Sequence, residues 1–223
     1  PETVGNTRRI LVSELSGVSN IATKAGRKFN IEQDKATLRK VLERVQDLEN
    51  EGYQFEAAEA SFELLLRKQI RRYRSFFDLD HYRVVVLKQN GGEPVSEATV
   101  KLKVNGHPEH RVAEGDGPVN ALDSALRRCL KPHLPAINDV HLLDYKVRVI
   151  NSRAETAAAV RVVVESKRKL ADGRTEVFGT IGVSANVIDA SWQALVDAYE
   201  YHLLHVEEEA QAAAAGQQVG ASA

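Results

Sequence analysis

Methionine is absent from this chain and cysteine occurs once, at Cys129. A lone thiol makes no internal disulfide and anchors no cysteine metal cluster, a pattern suited to a reducing compartment, so a cytoplasmic location is expected. No apolar run nears the roughly 18 residues of a membrane span, and no charged-then-apolar leader opens the sequence. Charge is balanced: 30 Lys and Arg against 31 Asp and Glu leave a formal net charge of −1. That is no electrostatic footprint for nucleic acid or an anionic membrane, and neither is expected as a partner. Enzyme signatures are missing as well. There is no P-loop and no nucleophile-base-acid triad, and Gly115-Asp-Gly117 lacks the third glycine of a dinucleotide fingerprint. Without methionine even at position 1, the chain is consistent with a piece of a longer protein, and equally with removal of an initiator before Pro1.

What the chain does contain is one unit written twice. Asn120-Ala-Leu-Asp-Ser-Ala-Leu126 reads against Asn186-Val-Ile-Asp-Ala-Ser-Trp192, and His81-Tyr-Arg-Val-Val-Val-Leu87 against Asp144-Tyr-Lys-Val-Arg-Val-Ile150. The turn signal Asn105-Gly106 likewise answers Asp172-Gly173. The first copy predicts strands at 81–89, 98–105 and 108–114 and a helix at 119–130, and the second predicts strands at 141–151, 157–170 and 174–183 and a helix at 187–205. Alternating apolar residues such as Val100/Leu102/Val104 and Val160/Val162/Val164 bury one face of each strand, which the helices must cover. The expected fold class is α+β, with two pseudo-two-fold-related β-β-β-α units. A doubled unit of this kind brings two helix N-termini face to face, a place to hold a small polar ligand.

Ahead of the repeat, Arg9 to Leu15 alternates like a short strand. Leu38, Val41, Leu42, Val45 and Leu48 then follow helical spacing between the cap Asp34 and Gly52. A second helix is predicted from Phe55 to Arg72, closing a helical hairpin with enough apolar surface to need a partner. Three regions follow: a linker at 1–76, the duplicated domain at 77–206, and a tail at 207–223 that is too poor in large apolar groups to pack and is expected to be disordered.

Among possible binding residues, His107 and His110 at i,i+3 on a strand point to opposite sides, which argues against a shared metal. His202 and His205, followed by Glu207-Glu-Glu209, read as a solvated helix end. The Gly115-Asp-Gly-Pro-Val119 turn is the stronger candidate. Two glycines flank an aspartate and a proline opens the helix, a tight turn whose N–H groups suit a carboxylate or phosphate. The same residues also describe a well-capped helix with no ligand. Gly182-Val-Ser-Ala-Asn186 is its counterpart in the second copy.

Four blocks carry a family likeness: residues 4–17, Gly52-Tyr-Gln-Phe-Glu-Ala-Ala-Glu-Ala-Ser-Phe62, Gly115-Asp-Gly-Pro-Val-Asn-Ala-Leu-Asp123 and Asp189-Ala-Ser-Trp-Gln-Ala-Leu195. With these the chain resembles the C-terminal part of the 2-isopropylmalate synthase and citramalate synthase group, enzymes that condense acetyl-CoA with a 2-oxo acid, and the linker looks more like citramalate synthase. The likeness covers nearly everything up to the tail. It implies a regulatory, dimerising portion that binds a pathway end product. The catalytic barrel, with its divalent metal on one aspartate and two histidines, has no counterpart here. No cofactor and no catalytic residue are therefore expected in this chain. A tyrosine that isopropylmalate synthases lend to the neighbouring barrel is replaced by Arg8. The family's effector pocket falls on Asp116, Gly117 and Val119, on Leu142, Tyr145 and Val149, on Ala157, and on Val183 with Ala185. Its implied partners are isoleucine, a second copy of the chain and the barrel of the same enzyme. Leucine as effector, in an isopropylmalate synthase, is the alternative, and a stand-alone amino-acid-binding module is the rival.

Overall fold

A computed structural model describes residue 29 and residues 34–150, 158–170 and 172–220, with side chains to 215. The predicted strand at 9–15 lies outside the described residues, as does Ala157. Helix α1 (Lys35–Glu51) starts where the Asp34 side chain accepts the Thr37 N–H at 3.0 Å and stops at Gly52. The second linker helix is shorter than expected. A 3-10 turn at Phe55–Ala57 precedes α2 (Glu59–Gln69), because the chain bends there to lay Phe55 and Ala58 into the core.

Two three-stranded antiparallel sheets follow, β1 (Phe77–Leu87), β2 (Val95–Val104) and β3 (His107–Gly115), then β4 (Val140–Val149), β5 (Val160–Lys169) and β6 (Thr175–Ser184). Helix α3 (Pro118–Leu130) closes the first unit and α4 (Val187–Gly220) the second. The β-β-β-α order repeats, and a bulge interrupts β1 at Leu79/His81 and β4 at Leu142/Asp144. The first hairpin is the expected two-residue turn, with Asn105 and Gly106 both at positive φ (50° and 82°). The second is longer. Leu170 N–H donates to Arg174 C=O and Gly173 N–H to Leu170 C=O, so it is not the expected two-residue turn at Asp172-Gly173.

That longer connection shifts the correspondence of the two helices. Buried Ala121, Ala125 and Cys129 of α3 match buried Ala190, Ala194 and Ala198 of α4, and Pro118 at the start of α3 matches Val187. The pairing of Asn120 with Asn186 read from sequence is thus out by three residues: Asn186 precedes its helix and its Oδ1 accepts the Ile188 N–H, whereas Asn120 lies inside the first turn of α3.

Each helix covers the two later strands of its sheet. α3 packs on β2 and β3 and α4 on β5 and β6, so the edge strands β1 and β4 are left largely uncovered. The first core is apolar: Val100, Leu102 and Val104 meet Leu122, Leu126 and Cys129. Cys129 is fully buried, its S–H directed at the Val100 carbonyl, and burial pushes its thiol up to about 11. In the second sheet Ser166, Arg168 and Thr180 replace some of the apolar positions.

The tail is not a separate element. α4 runs on to Gly220, and Glu207, Glu208 and Glu209 hold Arg74, Arg67 and Arg168 respectively. Its Ala-rich end keeps helical propensity that a reading based on burial alone overlooks. His202 is also not at a solvated end: it is buried, its Nε2 2.8 Å from the Ala136 carbonyl oxygen, while His205 lies 3.2 Å from Glu63.

The linker hairpin seats on β6. A Cβ on Gly179 would lie 1.8 Å from the Ala57 carbonyl oxygen, so the backbones touch there. Ser61 accepts the Ile181 N–H at 3.0 Å, and Arg161 of β5 donates to Gly52 and Gln54. A Gly179→Ala variant should lose about 3 kcal/mol of stability in urea unfolding, since backbone rather than a pliable side chain fills the space. Where the linker enters β1, buried Glu200 of α4 accepts from Ser75 Oγ (2.8 Å) and Phe76 N–H (3.1 Å). Burial raises its carboxyl from 4.5 to about 7. The folded state therefore holds this proton more tightly than the unfolded one. The resulting stability is complete below about pH 4.5 and lost as pH rises through about 7. Glu200→Gln should remove that slope and exceed the parent in stability at pH 8 by about 2 kcal/mol, measured by urea unfolding at pH 5 and 8.

Candidate effector site

The structure divides the expected pocket residues into two groups. At the first entrance, α3 opens at Gly117 without a side-chain cap, and Asp116 is exposed with Gly117 and Val119 half-buried. Asp116 N–H donates to Asn120 Oδ1 at 3.3 Å. The second entrance is different. Asn186 Oδ1 accepts the Ile188 N–H at 2.9 Å, so its first turn is already capped from within the chain. The two entrances are therefore not equivalent anion cradles, and the first is the one left uncapped.

The second group centres on β4. Tyr145, Val147 and Val149 stand opposite Val164, Val162 and Val160, which places them on the helix-facing side of the sheet. α4 meets β4 at Tyr145 and not beyond it, so Val147 and Val149 remain 43% and 60% exposed, and Leu142 is 40% exposed. Tyr145 is anchored. Ser191 Oγ donates to the Val187 carbonyl, so the Tyr145 hydroxyl is the donor of its 2.7 Å bond to Ser191. Val183, near the end of β6, is half-buried, and Ala185, between β6 and α4, is exposed. Among the described residues, no hydrogen bond or ring contact joins the Asp116 group to the Tyr145 group.

Sequence reasoning passed over two residues at this place. Tyr82 is the counterpart of Tyr145 in the aligned strands, and it reaches across to α4. Its ring stacks on Trp192 at 5.1 Å and its hydroxyl donates to Asp189 at 3.3 Å. Burial raises the Tyr82 phenol. α4 thereby holds Tyr82 of β1 much as it holds Tyr145 of β4, and Val86 further along the same face of β1 is 55% exposed. Gln193 is the other: its Oε1 accepts both the Val183 N–H (3.1 Å) and the Tyr53 hydroxyl (2.9 Å), and its amide donates to Asp189 at 3.0 Å. The Tyr82 signal was present in the repeat; Gln193 carries no sequence pattern.

With the geometry in place, comparison with known proteins decides the family. The model of the LeuA allosteric (dimerisation) domain matches residues 56–203. The chain belongs to that family. The match begins inside the linker hairpin, in keeping with the contact of that hairpin with β6. An (R)-citramalate synthase of Geobacter sulfurreducens is 50% identical over 212 residues, 93% of this chain and 39% of the relative. One from Aquifex aeolicus is 48% identical over 94% of the chain and 39% of its own length. A 2-isopropylmalate synthase of Aquifex aeolicus is 31% identical over 60% of the chain and 24% of the relative. The chain thus spans about two fifths of the citramalate synthases it matches.

No described helix is long and apolar enough to cross a membrane. Among the described residues no group of three or more His, Cys, Asp and Glu is placed to hold a metal. His107 stacks on His133 and His110 stands edge-on to His81, so the two histidines of the 107–110 segment do have separate neighbours. Gln193→Leu removes the acceptor of two hydrogen bonds and should lower stability by about 1–3 kcal/mol in urea unfolding.

Proposed function

We propose that this chain is the effector-binding and dimerising portion of a citramalate synthase-like acyltransferase of the cytoplasm, and that it responds to a branched-chain amino acid, isoleucine first. The whole enzyme would condense acetyl-CoA with pyruvate in a catalytic barrel that holds a divalent metal. This chain alone is inactive on that reading. The observation that carries the proposal is the open inner face of β4. Exposed Leu142, Val147 and Val149 flank an anchored tyrosine, beside a family match whose description is allosteric and dimerising. An apolar strip of this kind needs a cover, and a second copy of the chain supplies one with the same surface.

The effector then lies where the strip and a helix entrance meet. The uncapped N–H groups after Gly117 suit its carboxylate, Asp116 suits its ammonium, and Leu142 and Val149 enclose an aliphatic side chain. In the single chain these parts stand in two groups, so the reading requires the partner copy to complete the pocket. Leucine in a 2-isopropylmalate synthase is the second reading, favoured by the 31% identical relative.

Calorimetric titration of the chain with isoleucine, leucine and valine, paired with sedimentation, tests both parts. Isoleucine is expected to bind the dimer most tightly, and Asp116→Ala to weaken it by about 1–3 kcal/mol. Val149→Asp should shift the chain towards monomer and lose effector binding with it. A monomeric parent, or heat from none of the three amino acids, would overturn the reading.

A further inference from the structure

A second cavity, apart from the β4 strip, opens where the linker hairpin meets the repeat. It measures about 420 Å³, within the usual range of small-molecule sites, and lies between α1, α2, β6 and α4. Leu48, Phe55, Leu65, Ile181, Trp192 and Val196 give it apolar walls. Its charged groups are of both signs. Asp197 of α4 has a side chain 20% exposed, and Lys68 Nζ stands 3.9 Å from its carboxylate, beyond a direct hydrogen bond. Ser61 supplies a hydrogen bond, yet burial still raises the Asp197 carboxyl above its ordinary value. Arg44 lines the same cavity, 3.7 Å from Glu51 and 43% exposed.

This combination selects among ligands by charge. A simple carboxylate entering the cavity meets Asp197, and a simple amine meets Lys68 and Arg44. A zwitterion meets an opposite charge at each end, and its ammonium gives Asp197 the close cation that Lys68 does not. The walls call for an apolar side chain.

We infer that the cavity between the helical hairpin and α4 is a binding site for a free α-amino acid with a large apolar side chain, its ammonium on Asp197 and its carboxylate towards Lys68 and Arg44. The site shares no residue with the Asp116 and β4 groups and does not depend on them. A ligand here touches the linker through α1 and α2 and the repeat through β6 and α4, so it fastens one to the other.

The sole tryptophan of the chain, Trp192, lines the cavity and reports on it. The test titrates the 223-residue chain with L-leucine, 4-methylpentanoate and 3-methylbutylamine, which share a side chain and differ in charge, following Trp192 fluorescence and heat. L-leucine is expected to bind at least 10-fold more tightly than either analogue. Asp197→Asn, an isosteric change that removes the carboxylate, should weaken it by at least 10-fold, and Arg44→Gln at the rim by 3-fold or more. Asp116→Ala and Val149→Asp should leave this binding unchanged, which separates it from the effector site. Equal binding of the three probes, L-leucine binding indifferent to both Asp197→Asn and Arg44→Gln, or no response to L-leucine at all would each overturn the inference. Loss of binding in Val149→Asp alone would assign the response to the β4 site and likewise reject this one.

Discussion

Four consecutive residues of α4, Tyr199, Glu200, Tyr201 and His202, are all buried, and the rest of the structure is arranged around that fact. Successive residues of a helix point about 100° apart, so four in a row face every direction. Each finds a different neighbour. Tyr199 donates to Asp123 of α3, Glu200 accepts from the linker junction at Ser75 and Phe76, Tyr201 donates to Glu176 of β6, and His202 meets the Ala136 carbonyl between the two units. Polar groups on a helix enclosed on all sides need partners, because an unmet buried group costs about 1–3 kcal/mol; of the side-chain atoms of residues 199–202, only His202 Nδ1 lacks one. The polar residues of this stretch are therefore what define where α3, the junction, the second hairpin and the inter-unit turn must lie.

The linker hairpin follows from the same helix. α2 rests against α4 and β6, and the three glutamates after His205 hold Arg67 on α2, Arg74 at the junction and Arg168 on β5. The side chains of Arg67 and Arg168 are almost wholly buried, so their charges must stay paired. At the other end of α4, Gln193 connects Tyr53 of the linker with Val183 of β6. Linker and repeat are thus joined at both ends of one rod. The edge of β6 is covered in the process, with Ser61 and Gln193 accepting the N–H groups of Ile181 and Val183.

Much of this was legible in the sequence, for identifiable reasons. Strand alternation, the Asn105-Gly106 turn and the Asp34 and Gly52 boundaries of α1 are local signals, and the structure keeps them. The repeat was visible, but its register in the helices was not. The two Asn residues share a letter and not a position, because the longer loop after Leu170 moves β6 and α4 along the chain. The long run of α4 past Glu207 was misread since its anchors lie about 40 to 140 residues away in sequence, at Arg168, Arg74 and Arg67. Of the candidate site, Tyr145 lies on β4, half-buried and hydrogen-bonded to Ser191. The capping of the second entrance by Asn186 is local to residues 186–188, whereas the stacking of Tyr82 on Trp192 is a contact that only packing reveals.

The single cysteine acquires a practical meaning from its place under α3. Alkylating and oxidising reagents attack the thiolate, and Cys129 is both shut away from solvent and held protonated at neutral pH. Native molecules are silent towards such reagents, and only an opening of the first unit exposes the sulfur. The rate at which a thiol dye marks this chain is therefore a clock for the opening of one half of the duplicated domain, built in without any added label.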